Sequence, residues 1–363
     1  MNLFNKKKIL MISSSKEGGG PKHIFILSEQ ISEYYDLYYA SPLFQGSGFY
    51  SKDKFLKISE RKVCIDDIYK LIKFIRKNSI NIIHAHGKGA GLLARLVKLF
   101  VDIPLVLTFH GIHIQCHNYL YRKVYLLYEN LFGRIDNHKI FVSQSELSQA
   151  KKYKIYIGNN FSIVNNAVQN KKSKELIIKN SSIKNPFLNY TSKKIIISIC
   201  RLVRQKNIFE IFKIAKKLKD YNFIIIGNGE IFEKANKYII NNQIKNVYLL
   251  GEKKDVYPFI YFADLFLSTS LYEGLPLSIL EAMSVGLPII ASNVEGNKNA
   301  IIHNKNGFLY DLGDIENATK YINRILKNKT LYSKFSRNSI ILQKRVFSLS
   351  KMKNSYLKIY ERF

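Results

Sequence analysis

Ser268-Thr-Ser-Leu-Tyr-Glu273-Gly-Leu-Pro276-Leu-Ser-Ile-Leu-Glu281-Ala-Met-Ser-Val-Gly286-Leu-Pro288 is the stretch from which the rest of this 363-residue chain can be read. The run Asp264-Leu-Phe-Leu before it reads as the end of a short buried strand. Glu273-Gly-Leu then forms a loop, and Pro276 stands where a first helical residue belongs. The helix is expected to run to about Val285, where Gly286 caps it and Pro288 prevents continuation. Glu273 thus lies in the loop before a helix N-terminus, with Glu281 about a turn and a half inside. Free N–H groups and the positive dipole end attract an anion such as phosphate. The carboxylates repel that anion but accept hydrogen bonds from neighbouring hydroxyls. A ligand carrying phosphates beside two sugars, a nucleotide sugar, fits that layout.

Two glutamates eight residues apart also occur by chance, commonly on a solvated helix face. The full pattern Glu-Gly-Leu-Pro-Leu…Glu-Ala-Met…Gly-Leu-Pro is more specific, in the strand–turn–helix context such motifs require. It resembles the donor-site signature of the family 4 (group 1) retaining glycosyltransferases. The resemblance implies an α/β, GT-B architecture: two facing Rossmann-like domains with parallel sheets and a cleft between them. It implies a metal-independent, hexosyltransferase-type enzyme using a nucleotide-diphosphate sugar, a UDP-sugar. Gly274, Leu275, Pro276, Leu277 and Glu281 would contact that donor, Glu281 through the ribose hydroxyls, while Glu273 orients the transferred sugar.

A chain of this length exceeds one ordinary core, so two domains are expected. Its hydrophobic fraction of 47% excludes general disorder. Cys64, Cys116 and Cys200 are scattered, which suits a reducing cytosol and supplies no zinc framework. The basic N-terminus precedes an apolar run too short for a signal-peptide core, and no stretch approaches a membrane span. The net charge of +30 has two readings, attraction to an anionic membrane surface or a lysine-rich compositional bias, with nucleic acid disfavoured.

Apolar runs alternate with amphipathic stretches throughout, the mark of parallel α/β folding. Ile9–Ser13 leads into Gly18-Gly19-Gly20-Pro21, where glycines permit close approach of backbone to a ligand; a plain tight turn explains them equally well. The sequence resembles the family's N-terminal glycine loop, which implies donor contact. Asn81-Ile-Ile-His84-Ala-His86-Gly and Pro104-Leu-Val-Leu-Thr-Phe-His110-Gly111 are further strand-and-turn units. The resemblance places His110 near the transferred sugar, where a neutral imidazole can bond a hydroxyl or stabilise a polarised transition state. A lone histidine at a strand end is otherwise structural. His110, His113, Cys116 and His117 have nearly helical spacing, but nothing completes a metal set, and no Asp-x-Asp cation clamp occurs. No metal and no cofactor are therefore expected. Tyr119–Phe132 mixes aromatic and basic residues at helical spacing, as in a membrane-interface helix or, more commonly, a helix packed on its own sheet.

The expected organisation is an acceptor-side domain at 1–168, a polar linker at 169–194, a donor-binding domain at 195–345, and a terminal helix at 346–363 that packs back on the first domain. Asn165-Asn-Ala-Val168 resembles the family's hinge, with Ala167 in place of glycine. The second domain opens on a strand delivering Arg201 and Lys206 to its carboxyl end, and the segment resembles a family motif in which Cys200 replaces glycine. Two fixed cations are what a departing diphosphate needs. Tyr221-Asn-Phe-Ile-Ile-Ile-Gly227-Asn-Gly229 repeats the strand-to-glycine turn. Asn299 stands where the family often has an acid.

The reading is thus a transferase that moves a sugar to a lipid-linked saccharide, working in the cytoplasm at the inner face of the membrane. The alternative is a non-enzymatic basic protein binding membrane or nucleic acid, which would have no reason to carry Arg201, Lys206, Glu273 and Glu281 together. A nicotinamide-dependent enzyme is disfavoured because no full Gly-x-Gly-x-x-Gly opens a helix.

Overall fold

The apolar runs become parallel strands because they are buried on both faces and need helices on each side. The computed structural model describes residues 6–43, 50–112, 114, 118–171, 184–187 and 193–363. The chain divides into two units, one of residues 1–166 with 349–363 and the other of residues 167–348.

The first unit holds β1 (Lys8–Ser13), β2 (Asp36–Ser41), β3 (Phe55–Lys57), β4 (Ile82–His86), β5 (Leu105–Phe109), β6 (His138–Phe141) and β7 (Phe161–Ile163) in the order β3-β2-β1-β4-β5-β6-β7. All six pairings are parallel. The chain builds outward from β1 through β2 and β3, then returns to place β4 on the other side of β1. The carboxyl ends of β1 and β4 therefore meet at a topological switch point, where open α/β sheets bind ligands.

The second unit repeats the scheme with β8 (Ile195–Ile199), β9 (Asn222–Ile226), β10 (Val247–Leu249), β11 (Leu265–Ser268), β12 (Ile289–Ser292) and β13 (Gly307–Tyr310). Its order is β10-β9-β8-β11-β12-β13, parallel throughout, with the switch point between β8 and β11. Ile196, Ile225, Leu265, Leu267 and Ile290 form its core with the helices that cover the sheet.

Lys329–Val346 belongs to the second unit, whereas the final helix, Leu349–Tyr360, belongs to the first. Its Tyr356 and Tyr360 are fully buried there. Ala167 does not take a positive φ, so the alanine is compatible with the backbone at that point. Its neighbour Val168 is bonded from Gln343 Nε2 to its carbonyl at 3.1 Å. Much of the stretch 169–194 lies outside the described residues, as do His113, Cys116 and His117.

The helix Tyr119–Phe132 packs on the core of its own sheet through Tyr125, Leu126 and Tyr128, as the commoner expectation has it, but it is not covered on its other side. Its buried residues are Tyr125 and Glu129, while Leu120, Val124, Leu127 and Leu131 are exposed. A buried ionic cluster lies beneath it: Arg95 bonds Glu129 at 2.9 Å and Asp136 at 2.6 Å, and Lys139 lies 3.1 Å from Asp136. Buried charges need counterions. They draw Glu129 inward between the aromatic residues of the packed face, while a second row of aliphatic side chains stays outside.

Candidate functional site

In the second unit the functional candidates gather at the β8/β11 switch point. After β8 the chain turns through Arg201 into a short 3-10 turn, Arg204–Lys206, and Asn207 takes a left-handed conformation at φ 49° before the helix Ile208–Lys217. Thr269 holds this turn against the end of β11, donating to the carbonyls of Lys206 at 2.9 Å and Asn207 at 3.0 Å. Gln205 Nε2 donates to the carbonyl of Tyr272 at 2.8 Å.

These bonds bring Lys206 to Glu273. Lys206 Nζ donates to Glu273 Oε1, and Ser270 Oγ donates to the same oxygen at 2.7 Å. Glu273 is only 8% exposed. A small pocket lined by Ser198, Cys200, Lys206, Ser270, Glu273 and Ser278 lies there. Burial pushes the Cys200 thiol up to about 11, with the Lys206 charge opposing, so it stays protonated at neutral pH. Arg201 stands two residues past the end of β8 and is half-buried.

Glycine is required where backbones meet. A Cβ on Gly227 would stand 1.9 Å from the Cys200 carbonyl oxygen, and one on Gly296 would stand 2.4 Å from the Glu273 carbonyl oxygen. The turn after β9 and the segment after β12 thus press on the two loops that carry the candidate residues.

The helix following Glu273 spans Leu277–Ser284, with Pro276 as its N-cap at φ −73° and ψ 119°, so it begins one residue later than expected. Leu275, Pro276 and Leu277 are buried and Gly274 is half-buried. Pro276 offers no side-chain cap to the first helical N–H groups. Glu281 is 4% exposed on this helix. The Tyr257 hydroxyl is pushed up by burial and next by the Glu281 charge, which places the two close together.

In the first unit, Gly18 caps the helix Gly19–Ile31 at φ 108°, as the glycine turn requires. A Cβ on Gly20 would lie 3.8 Å from His110 Cδ2, so the glycine turn and the histidine after β5 are neighbours. His110 belongs to a larger histidine cluster. His86 Nδ1 and His110 Nε2 are 3.1 Å apart, His23 Nε2 lies 3.0 Å from the Tyr356 hydroxyl, and His84 bonds the Tyr360 hydroxyl at 2.6 Å and Thr108 at 2.7 Å. Burial lowers His23 to about 4 and holds His84, His86 and His110 well below the ordinary imidazole range. All four are therefore neutral at pH 7. Glu146 accepts from the N–H groups of Gly111 at 2.5 Å and Val142 at 2.7 Å, fixing the turn that presents His110. Burial raises its carboxyl to about 7.

Ring nitrogens of His23, His86 and His110 lie within 4.8 Å of one another, and that group contains no carboxylate or thiolate among the described residues. Three neutral imidazoles are a donor set that a divalent metal such as zinc accepts, and two of them, His86 and His110, already lie within hydrogen-bond distance of each other.

Sequence reasoning passed over Ser270, Thr269, Gln205, Glu146, Tyr356 and Tyr360. Ser270 and Thr269 stood in the deciding stretch, and their position at the end of β11 was the available signal. The tyrosines act from the far end of the chain, and only the fold reveals their partners.

The profile described as glycosyl transferases group 1 matches residues 179–341, and that of glycosyltransferase family 4 matches residues 47–170. The chain is 29% identical over 307 residues to the UDP-Gal:alpha-D-GlcNAc-diphosphoundecaprenol alpha-1,3-galactosyltransferase of Escherichia coli, across 80% of this chain and 78% of that one. It is also 29% identical over 193 residues to the N,N'-diacetylbacillosaminyl-diphospho-undecaprenol alpha-1,3-N-acetylgalactosaminyltransferase of Campylobacter jejuni, across 52% of this chain and 48% of that one. The Anabaena HepE protein, solved in complex with UDP and glucose, shares the fold with a TM-score of 0.82 at 17% identity, over 98% of this chain and 100% of that one. With two Rossmann-like parallel units and both profiles matched in order along the sequence, the chain belongs to the family 4, group 1 glycosyltransferases of the GT-B fold.

Proposed function

We propose that this glycosyltransferase takes its sugar from a UDP-sugar and passes it, with retention of configuration, to a lipid-linked saccharide in cell-surface glycan assembly. The observation carrying this reading is the Lys206–Glu273 pair at the β8/β11 switch point of the second unit. A fixed cation and a fixed carboxylate side by side suit a ligand that joins a diphosphate to a sugar.

Arg201 and Lys206 hold the diphosphate and take up the charge that develops as the glycosidic bond breaks. Glu281 accepts from the donor ribose hydroxyls, and the turn Gly274–Leu277 lies along the donor. Glu273 orients the transferred sugar. His110, kept neutral by burial, bonds a sugar hydroxyl, and Gly18, Gly19 and Gly20 leave room for the ligand beside it. Retention proceeds on one face, the leaving phosphate assisting the incoming hydroxyl, so no protein nucleophile is needed. The cations make a metal unnecessary.

The lipid-linked acceptor is supported by the Escherichia coli and Campylobacter jejuni relatives, whose names specify undecaprenol-diphosphate substrates. Among the described residues no helix is long and apolar enough to cross a membrane. With a net charge of +30, the protein works as a peripheral enzyme at the inner, anionic face of the membrane. A panel of nucleotide sugars read by thermal shift tests the donor assignment, because a bound ligand raises apparent stability. UDP-sugars should stabilise the protein most, the product anomer should match that of the donor, and chelators should leave transfer intact. No shift with any nucleotide sugar would overturn the reading.

A further inference from the structure

The helix Tyr119–Phe132 packs inward through Tyr125, Leu126, Tyr128 and Glu129, and it also carries a second, aliphatic row that faces water. Leu120, Val124, Leu127 and Leu131 are 71%, 60%, 61% and 61% exposed. At 3.6 residues per turn these positions share one stripe, on a helix about 21 Å long. The opposite side is held by the bond from Arg95 to Glu129 and by Lys88 Nζ, 4.6 Å from the Tyr125 ring centroid. Rolling the stripe inward would break the buried ion pair, so the helix is fixed with its aliphatic side outward.

We propose that this stripe is the surface by which the protein enters the interfacial layer of an anionic membrane, lying parallel to it. Four large aliphatic side chains in one exposed row mark a contact surface. The choice of a bilayer rests on charge and on the stripe's surroundings. Lys123 is exposed beside the stripe with its Nζ 4.6 Å from the Tyr119 ring centroid, and Arg134 is exposed just past the helix. Tyr119 and Tyr121 are 68% and 43% exposed, the amphipathic type that sits at the headgroup level. Basic residues flanking an apolar row on a chain of net charge +30 complement anionic headgroups. The purpose, though not the geometry, rests on the proposed lipid-linked acceptor: the helix begins nine residues after His110 in sequence, so docking would hold the acceptor-side unit at the surface where such an acceptor is anchored.

The test is sedimentation of the full-length protein with vesicles of phosphatidylglycerol and phosphatidylcholine, and with phosphatidylcholine alone. The wild type should partition to the anionic vesicles, and Leu120→Glu/Leu127→Glu should lower that partition by about tenfold or more. A UDP-induced thermal shift, read in parallel, checks the second unit; if the charged variant loses it, Leu120→Ser/Leu127→Ser carries the comparison. Unchanged partition of the folded variant, equal partition of the wild type to both vesicle types, or conversion of a dimer to monomers without loss of partition would overturn the proposal. A wild type that binds vesicles but shows no UDP shift counts against the donor reading and leaves the docking surface standing.

Discussion

Lys206 and Glu273, 67 residues apart in sequence, form an ion pair in which Ser270 shares the same carboxylate oxygen. The side chains are 19% and 8% exposed, so each charge has its counterion within the protein. A phosphate that engages Lys206 must share it with Glu273, which couples the diphosphate contact to the carboxylate assigned to the transferred sugar.

Lys206→Ala should therefore affect transfer more than folding. Loss of one charged contact in a closed site removes about 2–4 kcal/mol of transition-state stabilisation, or about 30- to 900-fold in kcat/KM. The stability cost should be smaller, about 1–3 kcal/mol, because Glu273 keeps its bond from Ser270. Steady-state kinetics beside denaturant unfolding separate the two, and near-wild-type turnover would contradict the role of Lys206.

The two glutamates should divide by kinetic signature. Glu273→Gln keeps the shape but releases Lys206 from its counterion, so UDP should bind at least as tightly while kcat falls. Glu281→Ala should mainly raise the donor KM, the sign of a ground-state contact. Neither carboxylate should yield a covalent glycosyl adduct by mass spectrometry.

How much of this was legible beforehand differs by element. Runs such as Ile82–His86, Leu105–Phe109 and Ile195–Ile199 announce parallel strands because both faces are buried. The strand order is not in the local pattern, since it depends on which side of β1 and β8 the returning chain takes. Glu273, Arg201 and Lys206 stood out through their surrounding motifs, but the pairing of Lys206 with Glu273 is a long-range contact. The helix Tyr119–Phe132 shows the same limit: periodicity finds the stripe, whereas its direction depends on packing and on the bond from Arg95, 24 residues or more away in sequence, to Glu129.

The histidine cluster predicts an acid-sensitive first unit. Burial lowers His23 and His138 to about 4 and holds His84, His86 and His110 well below the ordinary imidazole range. Their neutral forms are favoured by folding, so this stability is full above about pH 6.5 and declines as pH falls toward 4. Glu146, raised to about 7, acts in the opposite sense between about pH 4.5 and 7, but it is one group against five. Denaturant midpoints should thus fall between pH 6.5 and 4.5, and a flat profile would contradict the burial of neutral imidazoles.

Arg95 sits 1% exposed between two carboxylates. Arg95→Ala leaves Glu129 and Asp136 short of a cation, a change that costs about 3–5 kcal/mol where a buried pair is broken. Chemical denaturation should show that loss, together with faster proteolysis near residues 119–132.

The central claim, that the β8/β11 switch point binds the donor diphosphate, is tested most directly by calorimetric titration of UDP into wild type, Arg201→Ala and Lys206→Ala. The wild type should bind UDP, and each variant should bind it at least about tenfold more weakly, a loss of about 1.4 kcal/mol or more. Equal UDP affinity in all three proteins would contradict the placement of the donor at this site.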